Sequence, residues 1–165
     1  SILEAYDTSG IVTNDRGVTV WLKGNRVSRN QIMAIKEESV TEQKNSLAVC
    51  LDNILRHAGI TRNTEYDLAQ GKTATTILSE NMTGVQVLDL SGCTLDAVLY
   101  YVNQDIPVLA ILEDGEAVLV TGFNEFNVVI MEPATGKLYK KGMNDATAWF
   151  AENGNHFITY MRIEN

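Results

Sequence analysis

The feature that most constrains this chain is a pair of apolar runs in its second half. Ala117-Val118-Leu119-Val120-Thr121-Gly122-Phe123 and Asn127-Val128-Val129-Ile130-Met131 are rich in β-branched residues, and Asn124-Glu125-Phe126 separates them. Two such runs joined by a short link predict an antiparallel hairpin, with strands over 115–123 and 127–131.

The first half supplies helices. Leu47, Cys50, Leu51, Ile54, Leu55 and Ala58 recur at helical spacing. Asn45 or Ser46 can cap the free N–H groups of that helix, and Gly59 suits its C′ position, where positive φ costs little. A second helix is predicted over 73–82, after the turn at Gln70-Gly71, then a strand over 85–90. A helix over 94–103 follows, with Thr94 as cap and Leu95, Val98, Leu99 and Val102 as its buried stripe. The pattern then turns β, with a strand over 107–112, the hairpin, a short helix over 145–152 around Trp149 and Phe150, and an alternating strand over 156–163. Residues 1–42 are more polar. Within them Val18-Thr19-Val20-Trp21-Leu22 alternates like a half-buried strand between Gly17 and Gly24, and Trp21 is the candidate interface anchor. Helices early and antiparallel strands late argue an α+β domain over 43–165, preceded by a β-rich extension over 1–42.

Composition narrows the function classes. A chain of 165 residues can bury one full core. Its 13 Lys and Arg stand against 21 Asp and Glu, and a net charge of −8 disfavours nucleic acid as a partner. Lys23, Arg26, Arg29 and Lys36 are interleaved with apolar residues and read as a solvated face. Two cysteines, Cys50 and Cys93, make no disulfide framework, and His57 and His156 lie at no metal-ligand spacing from either. Phosphate-binding glycine loops, metal-binding His pairs and serine-nucleophile elbows are absent, so no metal or cofactor is expected. No apolar run approaches the ~18 residues that span a bilayer, so no membrane insertion by this segment is expected. There is no signal peptide, and a start at Ser1 rather than Met reads as a fragment or a processed form.

Thiol catalysis has definite requirements. A thiolate at a helix N-terminus is stabilised by the helix dipole and unpaired N–H groups. An imidazole from another element takes its proton, a carboxylate or amide orients the imidazole, and a further donor holds the oxyanion.

Several segments of this chain, in order, resemble an enzyme family built on that plan. Gln43 precedes the helix that ends at Gly59. Thr94-Leu95-Asp96-Ala97-Val98-Leu99 leads to Asp105-Ile106-Pro107-Val108-Leu109. Gly115-Glu116-Ala117-Val118-Leu119-Val120-Thr121-Gly122-Phe123 is followed by Glu132-Pro133-Ala134-Thr135-Gly136. Over 43–160 the chain resembles the papain-like fold, and within it the bacterial double-glycine-leader peptidases (cysteine peptidase family thirty-nine). Members carry a Gln shortly before a Cys-Gly-Pro-x-Ser-Leu-type helix, then Gly-His-x-Val-x-x-x-Gly-Tyr, then Asp-Pro-x-x-Gly. The resemblance implies a papain-like α+β fold with the N-terminal helix packed on an antiparallel sheet. By family analogy alone it implies a secreted or cell-envelope setting.

The departures matter more than the matches. Counting back from Gly59 places Ser46 at the nucleophile position, Glu116 stands where the family has His, and Glu132 stands where it has Asp. The resemblance implies that Gln43 is the relic of an oxyanion donor. A serine hydroxyl without a base stays protonated, and a carboxylate with a pKa near 4 is a poor base at neutral pH. Facing carboxylates at Glu116 and Glu132 would repel and raise one pKa. The favoured reading of Ser46 is therefore an N-cap. The chain is read as a degenerate homologue, a peptide- or protein-binding or structural module whose partner is a peptide or another domain of its parent, with Gln43, Ser46, Glu116 and Glu132 as the binding residues.

One alternative is a live thiol peptidase using Cys50 or Cys93 with His156. Cys50 lies one turn inside the helix and reads more readily as a small buried hydrophobe. His57 is two turns from Cys50, roughly 10 Å along the axis, too far for a dyad. A second alternative is an acid-active hydrolase built on Ser46 and Glu116.

Overall fold

The computed structural model describes residues 10–13, 19–22, 31–32 and 45–163. Gln43 and the basic residues Lys23, Arg26, Arg29 and Lys36 lie outside them.

The first long element is helix α1, Ser46–His57. Asn45 caps it, with Oδ1 accepting from Leu47 N–H at 2.9 Å and from Ala48 N–H at 3.4 Å. Its C-terminus closes as the Gly59 pattern predicts. Gly59 has φ +87°, its N–H bonds Arg56 O at 2.9 Å, and Ile60 N–H bonds Leu55 O at 2.8 Å. This is a Schellman motif, satisfying carbonyls that the last turn leaves open. The inward stripe Cys50, Leu51, Ile54 and Leu55 is at most 1% exposed. A buried polar clamp then ties α1 to the chain that follows, as Asp52 Oδ1 accepts from Thr64 N–H and Thr64 Oγ1–H, both at 2.8 Å. Thr64 leads into a five-residue helix α2, Glu65–Ala69, which was too short to stand out in the sequence.

The next elements follow the expected order. Helix α3 is Ala74–Asn81, strand β4 Val85–Asp89 and helix α4 Leu95–Asn103. Thr73 and Thr94 cap the two helices through their hydroxyls, as short oxygen side chains at N-caps do. Strands β5 (Val108–Ile111), β6 (Ala117–Phe123) and β7 (Asn127–Glu132) come next. A strand not anticipated, β8 (Lys137–Gly142), precedes helix α5 (Met143–Glu152) and strand β9 (His156–Arg162).

The main sheet is antiparallel, in the order β4-β9-β5-β6-β7-β8. Every residue of β6 is buried, so the centre of the sheet is covered on both faces. Helices α1 and α3 pack together, as do α4 and α5, and both pairs pack on the sheet. Within β6 the register to β7 shifts after Val120, leaving Thr121 as an extra residue whose hydroxyl reaches Val129 O at 3.5 Å. This is a β-bulge, which bends the strand.

The N-terminal section contributes three strands. β1 (Gly10–Thr13) and β2 (Thr19–Leu22) pair with each other, and β2 coincides with the alternating run seen in the sequence. β3 (Gln31–Ile32) pairs with Phe123 and Gly122 of β6. Because β7 occupies the other edge of β6 there, β3 continues the line of β5 past its end.

Candidate functional site

The candidate centre forms where the first turn of α1 meets the start of β6. Glu116 O accepts from Leu112 N–H of the β5 side at 2.8 Å. The C=O and N–H of one trans peptide group point to opposite edges of a strand, so the Ala117 N–H points towards β7. β7 ends at Glu132, and continuing its register would set Pro133 against Ala117. The Ala117 N–H therefore has no ladder partner, and a buried N–H needs one. Ser46 provides it, with Ala117 N–H donating to Ser46 Oγ at 2.9 Å.

This corrects the reading of Ser46. The N-cap is Asn45, and Ser46 is the first residue inside the helix. At that position its hydroxyl points out of the helix end and bridges 71 residues of sequence to β6. Of the two adjacent residues competent to cap, Asn45 takes the role and Ser46 does not.

Glu116 and Glu132 flank this contact. Leu119 pairs with Met131, so the next pair sets Val118 beside Glu132, and position 116 is the diagonal neighbour on the same face. Diagonal neighbours stand about 7 Å apart at Cβ. Glu116 is exposed and Glu132 half-buried. Glu132 Oε1 accepts from Ala134 N–H at 3.3 Å, closing the turn after β7.

The two thiols are sealed. Cys50 is 0% exposed, and burial pushes its thiol well above the ordinary range, with the negative charge of Glu132 adding to the effect. Cys93 is 1% exposed, in the turn that joins β4 to α4. His57 sits at the far end of the unbroken α1, its Nε2 3.2 Å from Asp105 O and 3.4 Å from Asp105 Oδ2. That geometry excludes a Cys50–His57 dyad. His156 opens β9 opposite Ile111, and Ile111 in turn pairs with Ala117. Two strand spacings, roughly 10 Å, separate His156 from Ala117. Ser46 lies on the other edge of β6, so the structure brings Ser46, Glu116 and Glu132 together and leaves His156 apart.

Among the described residues no group of three or more His, Cys, Asp and Glu side chains is placed to hold a metal ion. No helix there is long and apolar enough to cross a membrane.

With its first helix packed on a central strand of an antiparallel sheet, the chain has the papain-like α+β fold. Among solved structures it is similar to a crystal structure from Bacillus anthracis provisionally assigned as a C39-like peptidase. The match has a TM-score of 0.69 and 13% identity, and spans 84% of this chain and 100% of that one. At that identity the likeness establishes the fold alone. No family model matches the sequence, and no curated protein does.

Sequence reasoning missed the inter-element hydrogen bond of Ser46 and a depression beside His156. Neither had a local signal, because each depends on which strands become neighbours.

Proposed function

We propose that residues 43–165 are a non-catalytic peptidase-homology domain, serving as a peptide- or protein-binding or structural module, with residues 1–42 as an extension that lends β3 to its sheet. One observation carries this reading. The hydroxyl where the family has its nucleophilic thiol accepts the Ala117 N–H and is flanked by two carboxylate positions, with no imidazole beside it. A nucleophile needs a base within hydrogen-bond reach whose pKa suits the working pH. The sealed, disfavoured thiolate of Cys50 argues in the same direction.

The test is hydrolysis of a mixed peptide library from pH 4 to pH 8, together with iodoacetamide labelling of the native protein. The expected outcome is no cleavage at any pH and slow labelling of both cysteines, becoming rapid only in denaturant. Cleavage at acidic pH that Ser46→Ala abolishes would replace the proposal with a serine–carboxylate hydrolase. Rapid, pH-independent alkylation of Cys50 or Cys93 in the folded protein would replace it with a thiol enzyme.

A further inference from the structure

A depression of about 360 Å³ opens beside the β5–β6 turn, at the same end of the sheet as Ser46 but on the other edge of β6. The β4–β9 ladder continues past the strand ends, through Leu90 N–H to Phe157 O at 2.8 Å and Gly92 N–H to Asn155 O at 2.9 Å. Ser91 is therefore directly opposite His156 in a non-hydrogen-bonded pair, where Cα atoms approach to about 4.5 Å and side chains share a face. Ile111 is opposite His156 on the other side. Leu112, Glu113 and Asn153 complete the wall.

The chemistry of this lining is one-sided. No Lys or Arg contributes to it. Ser91 Oγ–H is donated to Asp89 Oδ1, so that proton is committed. Asn153 is held in place by the Glu113 N–H on its Oδ1 at 3.1 Å and by its own donation to Trp149 O at 3.0 Å. The Glu113 carboxylate and the half-buried His156 ring have no hydrogen-bond or ion-pair partner among the described residues. The accessible lining is mostly polar, and Ile111 and Leu112 add only a small apolar margin.

We propose that this depression is a binding site for a cationic nitrogen: the ammonium or guanidinium donates to the Glu113 carboxylate and to a ring nitrogen of His156. Two sources share that chemistry, a free alkylamine and a Lys or Arg side chain of a peptide. The site is separate from the Ser46 contact and stands whether or not that contact is catalytic.

The experiment is an NMR titration of the full chain at pH 7.5 with n-pentylamine, with acetyl-Gly-Lys-Gly-amide, and with n-pentanol as the uncharged control. Saturable shifts of the Ser91, Gly92, Glu113, Gly154 and His156 amides with either cationic probe, absent with pentanol, are expected. Tighter binding of the peptide assigns the site to a basic side chain, and tighter binding of pentylamine assigns it to a small amine. Glu113 is exposed, so Glu113→Gln keeps the fold, and it weakens the cationic probe about tenfold, the loss expected for one charge-assisted hydrogen bond. Glu65→Gln, on α2, leaves affinity unchanged. Equal shifts with pentanol, shifts spread over all acidic surfaces without saturation, or full affinity in Glu113→Gln overturns the proposal.

Discussion

At the residue scale, the contact that matters most is a single hydroxyl. Ser46 Oγ is the acceptor for an N–H that the end of β7 leaves unpaired. Ser46→Ala keeps the helix residue and removes the acceptor, so the Ala117 N–H is left part-buried with no partner. The expected cost is about 1–2 kcal/mol, read as a lower urea midpoint with unchanged slope. An unchanged midpoint would mean that water replaces the hydroxyl without loss. The identity of Ser46 was legible in the sequence, but its role was not. A serine at a helix start reads as a cap, and the competing cap Asn45 sits one residue earlier.

At the scale of elements, local chemistry set the helix ends and the sequence displayed it. Thr73, Thr94 and Gly59 all do what their residue types suggest. Gly59 allows a clean test, because a Cβ there would meet nothing within 4 Å while φ stays at +87°. Gly59→Ala should therefore cost only the left-handed conformation, about 1 kcal/mol by chemical denaturation. A loss several times larger would show that packing is disturbed as well. β8 was not legible for the opposite reason. Lys137, Lys140 and Lys141 interrupt its alternation, and charged lysines are common on an edge strand, where they oppose pairing with other chains. Helix α2 escaped because five residues give too little periodicity to read.

At the scale of the whole molecule, packing places acidic protons where ionisation is costly. Burial, then the neighbouring Tyr100 and Cys93, pushes the Tyr101 phenol from 10.0 up to about 12. Burial also raises Tyr139, with Glu132 adding to it, and burial raises Tyr160, with Arg162 partly opposing. Cys50 is raised in the same way. A folded-state pKa above the unfolded value gives stability that is complete below the unfolded value and is lost as pH rises towards the folded one. The urea midpoint should therefore stay flat from about pH 7 to 8.5 and decline from about pH 9 to 12, as the unfolded chain releases these protons first. A flat profile through that window would show that these groups reach solvent in the native state.

The sequence alone determined the α+β class, the caps at Thr94 and Gly59 and the central hairpin. These are local properties, because periodicity, turn chemistry and residue type act within a few positions of the chain. Tertiary structure alone decided that Ser46 serves β6 rather than its own helix, and that His156 opens onto a separate depression with Glu113. Each of these rests on strand order and register, which join residues tens of positions apart and leave no mark in the local pattern.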